Sequence, residues 1–201
     1  MDLDIKHNIA EIERALSDIG RRQLPFAMML AINKTLQEIQ INTVKRLRRA
    51  LDRPTPFTLR AFAIRRARKT SLRGSIFAKD IQADYLTYAE EGGTRRPRRR
   101  VLLQPKGARL NKYGNLARGG LPRIIGRANT FVGAPFGGAG GVWQRMGGKR
   151  NPKLRLLVLF IKRATYRRRL GFRGGAERTA LARLPGHLSA TIAQAIKTAR
   201  R

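Results

Sequence analysis

The sequence contains no cysteine, two histidines and one tryptophan. The absence of cysteine excludes a disulfide framework and any thiolate metal site, and it agrees with assembly in a reducing cytoplasm. His7 and His187 lie in predicted helical segments near opposite termini, where a solvated or capping role is the simplest interpretation. We therefore expect neither a structural metal nor an imidazole-based catalytic site.

Long apolar runs are also missing. The longest strongly apolar run, Leu156–Ile161, has six residues and is bracketed by Arg155 and Lys162. A bilayer-spanning helix needs about 20 apolar residues, so no contact with a membrane is expected. The opening residues, Met1–Asp4, are acidic and lack the basic region and apolar run of a secretion signal.

Acidic residues are scarce in the second half of the chain. Residues 92–201 contain 27 Lys and Arg but one acid, Glu177, for a net charge of +26, whereas residues 1–91 carry +6. Like charges repel in a compact state. The total of +32 therefore indicates that nucleic acid or an acidic partner surface neutralises the second half.

Arginine outnumbers lysine by 33 to 11. The guanidinium fork grips phosphate or carboxylate in two places, although a GC-rich coding sequence would produce the same ratio without a functional demand. The hydrophobic content of 42% is enough for a modest core, so a wholly disordered basic chain is not expected.

The N-terminal part, residues 1–52, is predicted to be helical. Apolar residues at helical spacing predict a helix over 4–19 that ends at Gly20. A longer helix is predicted from Leu24 to Leu51, with Thr43 or Val44 filling a gap in its apolar stripe, whose other members are Ile32, Leu36, Ile39, Leu47 and Leu51.

The hydrophobic period changes after this helix. Residues 57–91 are predicted to hold the first strands, because Phe62 and Ile64 are two apart and Leu72–Ala78 fits a short strand. Within that range, Tyr85–Tyr88 fits either a strand or a helical turn.

Residues 92–152 are predicted to form a long, basic, glycine-rich arm. They hold 14 of the 20 glycines, and a loop of this length is usually functional or partly disordered. Three short stretches within it are candidate strands: Val101–Leu103, Thr130–Val132 and Gly141–Trp143.

The remainder predicts a central strand and a terminal helix. Within 153–170, Leu154–Tyr166 has apolar residues on both faces, which is typical of an interior strand. Residues 176–201 are predicted to be helical. The whole chain, 1–201, is thus interpreted as a single α+β domain. N-terminal helices, one of them long, and a C-terminal helix pack on a small antiparallel sheet, and a Gly/Arg-rich arm extends from it.

Two arginine clusters are the candidate binding residues. The first contains Arg95, Arg96, Arg98, Arg99 and Arg100, and the second contains Arg167, Arg168 and Arg169. Each phosphate contact would release condensed counterions from nucleic acid. A contact with an acidic protein partner and a merely solvated surface remain the alternatives.

Signals for catalysis are weak. Gly148-Lys149 is followed by Arg150 rather than Ser or Thr, which departs from a phosphate-binding loop. Four carboxylates could form a metal site for phosphodiester cleavage, although such acids more often pair with arginine: Asp80, Asp84, Glu90 and Glu91. We expect no enzyme activity, no catalytic residue and no cofactor.

The order of several motifs resembles the minor tail protein Z and tail-completion family of long-tailed bacteriophages. The segments that carry the resemblance span about residues 24–200, and they are Leu30–Thr35, Arg53–Phe62, Tyr85-Leu86 leading into Glu91–Arg95, Leu102–Pro105 followed by Leu110–Leu116, and Gly141–Trp143. The resemblance rests on the order of these segments along the chain.

The resemblance implies an α+β fold and a non-enzymatic structural role late in virion assembly. It implies a head-proximal position in the tail or neck, within a ring or other symmetric homo-oligomer. The implied partners are other phage neck or tail proteins and, through the basic half, the phage DNA end. The expected location is the virion, after assembly in the host cytoplasm. A general nucleic-acid-binding protein without sequence preference is the alternative hypothesis.

Overall fold

A computed structural model of the chain describes residues 23–97, 100–148, 151 and 153–199. The predicted helix over 4–19 and two of the predicted site residues, Arg98 and Arg99, lie outside the described residues. The elements in chain order are α1 (Leu24–Ala50), α2 (Pro56–Leu59), β1 (Phe62–Arg65), β2 (Ser75–Ala78), α3 (Asp80–Glu91), β3 (Gly93–Arg95), β4 (Leu102–Pro105), α4 (Gly120–Ile125), β5 (Thr130–Gly133), a 3-10 turn (Pro135–Gly137), β6 (Gly141–Met146), β7 (Lys153–Ile161), β8 (Ala164–Tyr166) and α5 (Phe172–Ala199).

The described chain divides into two compact units, a division that the sequence analysis did not predict. The first unit contains residues 23–47, 57–83 and 171–199, and the second contains residues 48–56 and 84–170. The α+β class is confirmed, with a long helix near each end of the described chain and small antiparallel sheets between them. No helix among the described residues is long and apolar enough to cross a membrane.

The predicted long helix is confirmed as α1, and Thr43 fills the gap in its stripe. The Thr43 hydroxyl is buried and donates to the Ile39 carbonyl at 2.7 Å, so its polar atom is satisfied inside the helix. The buried face begins earlier than predicted, and its members are Ala27, Ala31, Thr35, Leu36, Ile39, Thr43 and Leu47.

Helix α5 runs antiparallel to α1 in the first unit. The Asn42 amide donates to the Thr179 hydroxyl at 3.4 Å, and Glu38, one turn earlier in α1, pairs at 3.1 Å with Arg183, one turn later in α5. Helix α5 begins at Phe172, before the predicted start at 176, and it continues through Pro185.

The hairpin of β1 and β2 completes the first unit. Phe62 pairs with Ala78 and Arg65 pairs with Ser75. Asn33 of α1 holds the connecting loop, because its amide donates to the Ala67 carbonyl at 3.1 Å and accepts from the Ala67 amide at 2.8 Å. Both strands lie inside the range predicted for the first strands.

The rest of that range is helical, which corrects the prediction of strands up to residue 91. Helix α3 occupies Asp80–Glu91. Gln82 and Leu86 are both buried and lie four residues apart, so they share one helical face. Asp80 lies in the first turn, where a carboxylate interacts favourably with the helix dipole.

A four-stranded antiparallel sheet, in the order β4-β7-β6-β5, forms the centre of the second unit. Strand β7 is interior, as predicted, and both faces of its middle are buried at Leu157 and Val158. With Ile124 and Val142, these residues form a compact apolar cluster.

Residues 92–152 are part of this fold. They supply three of the four strands of the central sheet, β4, β5 and β6, together with α4. The three candidate strands within the segment are confirmed: β5 and β6 begin where predicted and extend further, and both ends of β4 are shifted. The segment predicted as an extended arm therefore folds into the sheet: β5 pairs with β6, β6 pairs with the next strand β7, and β4 pairs with β7 from far earlier in the chain.

The strand predicted over Leu154–Tyr166 is two strands. Strand β7 ends at Ile161, and residues 164–166 form β8, which leaves the central sheet and pairs with β3. Lys162 and Arg163 are exposed at the break between the two strands.

Candidate polyanion interface

A two-stranded ribbon brings Arg95 and Arg96 of the first predicted arginine cluster onto one structure with the second cluster. Strand β3 pairs antiparallel with β8, so that Gly93 lies opposite Tyr166 and Arg95 lies opposite Ala164. The hydroxyls of Thr94 and Thr165 are 3.2 Å apart across the middle pair. Because a strand rises about 3.4 Å per residue, the ends of this ribbon are about 7 Å apart.

Each end of the ribbon carries exposed cations. At one end, Arg96 continues from Arg95, while Lys162 and Arg163 lead into β8 beside it. At the other end, Arg167 and Arg168 follow Tyr166 and are also exposed. We call this surface the basic ribbon; its cations are Arg95, Arg96, Lys162, Arg163, Arg167, Arg168 and Arg169.

The second arginine cluster is anchored through its backbone. The amides of Arg169 and Leu170 both donate to the Ala89 carbonyl of α3, at 2.8 and 2.9 Å. Leu170 is buried, whereas Arg169 is exposed. The cluster is therefore fixed at the end of α3 with its side chains directed away from the core.

Two glycines connect α3 to the ribbon, and Gly92 makes the close approach between them. Gly92 has φ +77° and Gly93 has φ +110°, and both angles lie in the region that favours glycine. A Cβ at Gly92 would stand 3.3 Å from the Arg168 amide nitrogen and 3.3 Å from the Tyr166 carbonyl oxygen. The dipeptide thus lets the chain turn directly from α3 into β3 against the second arginine cluster.

Aromatic and acidic groups also adjoin the ribbon. The rings of Tyr88 and Tyr166 are 5.8 Å apart and tilted, and Tyr166 is 43% exposed among the arginines. Exposed aromatic rings next to cations are used by proteins that bind single-stranded nucleic acid. Glu90 and Glu91 lie immediately before Gly92, so carboxylates also border the basic ribbon at this end.

The structure places the remaining predicted site residue apart from the paired strands. Arg100 is exposed and precedes β4. Lys162 and Arg163 are not among the site residues predicted from the sequence. A signal was present, because Lys162 was noted as the charged end of the apolar run, but their place in the ribbon depends on where β7 stops.

The four carboxylates considered for a metal site all lie on α3. Asp80 and Glu91 are at its two ends, and at about 1.5 Å of rise per residue they are about 16 Å apart along the axis. Among the described residues, no group of three or more histidine, aspartate or glutamate side chains could hold a metal ion.

Functional inference for this chain is based on its fold and its charged surfaces, because comparisons with known proteins found no match. No protein-family model matches the chain, and neither a curated protein nor a solved structure is significantly similar to it.

Proposed function

We propose that this protein is a structural component of a long-tailed phage virion that acts in tail completion at the head-proximal end of the tail. The ordered segments described under Sequence analysis support this proposal. The α+β fold of the described residues agrees with the fold that the resemblance implies. In this proposal several copies form a symmetric oligomer with other neck or tail proteins, after assembly in the host cytoplasm.

The basic ribbon is the observation that supports a contact with a polyanion in this proposal. Pairing of β3 with β8 gathers exposed cations from segments about 70 residues apart in the chain, within a region that has one acid in 110 residues. Several copies of a protein at +32 would repel one another in a ring. Neutralisation by the phage DNA end would remove this repulsion.

Particle composition is the first test. Quantitative mass spectrometry of purified particles, normalised to the major tail protein, is expected to give a small and fixed copy number. Absence of the protein from particles would overturn the virion assignment. A gene deletion complemented in trans would then report whether particles lacking the protein have incomplete tails, as the proposal requires.

The polyanion contact has a separate test. Replacing Arg167, Arg168 and Arg169 with serine removes three exposed cations from the ribbon. A matched control replaces Arg66, Arg68 and Arg73, which are exposed in the β1–β2 loop of the first unit. The ribbon variant is expected to complement poorly and the control normally; equal complementation by both would remove the ribbon from the interface.

A general nucleic-acid-binding protein is the second candidate function. The exposed Tyr166 between cations favours it, because aromatic rings stack on bases without sequence preference. This candidate predicts monomeric binding to duplex or single-stranded DNA, with a log–log salt slope of about −0.9 per phosphate contacted on duplex. Strong binding by a protein that is absent from particles would favour it over the virion role.

A further inference from the structure

The second unit contains another basic surface, a groove of about 920 Å³. We call it the basic groove. It lies between the loop that follows β4, helix α4 and the faces of β6 and β7, and it shares no lining residue with the basic ribbon. Its cationic lining residues are all exposed: Arg109, Lys112, Arg123, Arg127 and Arg155. No aspartate or glutamate is among the residues that line it.

The loop wall of the groove is held to the central sheet by backbone hydrogen bonds. The amides of Lys106, Gly107 and Ala108 donate to the Leu157 carbonyl of β7, at 2.9, 3.2 and 3.2 Å. Further along the loop, the Asn111 side-chain oxygen accepts from the amides of Tyr113 and Asn115, at 2.9 and 3.1 Å. These contacts fix the positions of Arg109 and Lys112.

The opposite wall is also fixed. The buried Thr130 hydroxyl donates a hydrogen bond to the Ile124 carbonyl near the end of α4, at 2.6 Å. The same hydroxyl lies 3.0 Å from the Arg127 carbonyl. Ile124 belongs to the apolar cluster under the sheet. Arg123 and Arg127 therefore project from a short helix and a turn that are anchored to the core.

We propose that the basic groove binds the sugar–phosphate backbone of a single nucleic-acid strand. The inference rests on the proposed contact with nucleic acid and assigns single-strand binding to this groove, separately from the ribbon. Four of the five cations are arginines, whose forks match phosphate oxygens in two places. Because these cations come from four segments, a ligand must present several anionic groups along its length to meet them.

The shape and lining of the groove favour a single strand. A volume of about 920 Å³ is that of a small-molecule cleft, which a rod as wide as a duplex does not enter. Side-chain amides of Asn111 and Gln144 also line the groove, and an amide offers both a donor and an acceptor to base edges.

The test is binding of fluorescein-labelled oligo(dT) to the full chain, followed by anisotropy as a function of NaCl. The groove variant replaces Arg109, Arg123 and Arg127 with serine. Since each phosphate contact to a single strand contributes about −0.7 to the log–log salt slope, this variant is expected to flatten the slope by about 2. The Arg66/Arg68/Arg73 serine variant removes the same charge and is expected to leave the slope within about 0.5 of the parent value.

Two further variants separate the groove from the ribbon and from misfolding. A second groove variant replaces Arg109, Arg123 and Arg127 with lysine and so keeps the charge. It is expected to retain most of the salt slope. The Arg167/Arg168/Arg169 serine variant tests the ribbon. If it weakens oligo(dT) binding while the groove serine variant does not, the groove inference is overturned and the proposed DNA contact survives.

Competition decides the class of ligand. Oligo(dT) is expected to be displaced by unlabelled single strands at lower concentration than by duplex DNA or poly-glutamate of equal charge. More effective displacement by poly-glutamate would overturn the inference in favour of an acidic protein partner. An unchanged slope in both the groove and ribbon variants would overturn both nucleic-acid contacts together.

Discussion

The side chain of Arg155 lies across Gly107. A Cβ on Gly107 would stand 2.9 Å from Arg155 Nε and 2.8 Å from the Leu156 carbonyl oxygen, closer than side-chain carbons normally approach. The absence of a side chain at residue 107 thus allows one cation of the basic groove to pass over the loop that forms its wall.

Replacing Gly107 with alanine is therefore expected to push the loop away from β7 and displace Arg155. Overpacking of this kind costs about 1–3 kcal/mol in the free energy of unfolding, measured by urea denaturation. Gly120→Ala is the matched control in the same groove, because the nearest atom to its Cβ would be Ala117 Cβ at 3.8 Å. Equal stability of the two variants would contradict the close approach at Gly107.

Gly92 is expected to tolerate alanine less well than Gly119 does. Both have positive φ, +77° and +69°, so alanine carries a backbone penalty of about 1 kcal/mol at either position. Only Gly92 is also crowded, by Arg168 and Tyr166, whereas a Cβ at Gly119 would meet nothing within 4 Å.

Thermal unfolding of the two glycine variants checks this difference. Gly92→Ala should have the lower melting temperature, and it should also weaken any DNA binding by the ribbon. A melting temperature for Gly119→Ala equal to or below that of Gly92→Ala would argue against the packing of β3 beside the second arginine cluster.

Glu38 is expected to couple α1 to α5 weakly. Its two carboxylate oxygens contact Arg183 Nε at 3.1 Å and His187 Nε2 at 3.2 Å, but the Arg183 side chain is 64% exposed. A double-mutant cycle of Glu38→Gln and Arg183→Gln should give a coupling energy below about 1 kcal/mol. Glu177→Gln, at an exposed position of α5, is the control; a coupling of several kcal/mol would indicate a desolvated pair instead.

Because of Asp52, the free energy of unfolding is expected to depend slightly on pH in the acid range. Hydrogen bonds from the Arg53 guanidinium, including Nη2 to Oδ2 at 2.9 Å, hold the pKa of Asp52 below its ordinary value of 3.8. A lowered folded-state pKa contributes stability that is present above the unfolded pKa and lost as the pH falls through the folded pKa.

Asp52→Asn should therefore be slightly less stable than the parent at pH 7, and the difference should shrink below about pH 4. Melting temperatures between pH 2 and pH 7 measure this effect. A difference that stays constant over the whole range would show that the charge of Asp52 is not involved. The side chains of Arg53 and Asp52 are 56% and 79% exposed, so added salt should also reduce the difference.

The sequence alone predicted the elements that local pattern controls. Helix α1 followed from its apolar stripe between Leu24 and Leu51, and the interior strand β7 followed from apolar residues on both of its faces. The charge asymmetry and the two arginine clusters were also evident from the sequence without the structure. Periodicity and composition are local properties, so they can be read from neighbouring residues.

Helix α3 shows where the local pattern was ambiguous. Tyr85–Tyr88 fitted a strand or a helical turn, and burial of Gln82 and Leu86 on one face is what favours the helix. Residues 92–152 show the same limit, because β4 and β6 both pair with β7, which lies outside the segment, and β5 is held at the sheet edge by β6.

Only the tertiary structure decided which charges lie together. The pairing of Arg95 with Ala164 puts residues of two distant clusters on the basic ribbon, and the packing of the loop after β4 against β7 creates the basic groove. Strand register and close approach at glycine are contacts between residues far apart in the chain. The sequence determined the excess of positive charge from which we propose a polyanionic or acidic partner, while the pairing of its strands determined which of those charges lie together.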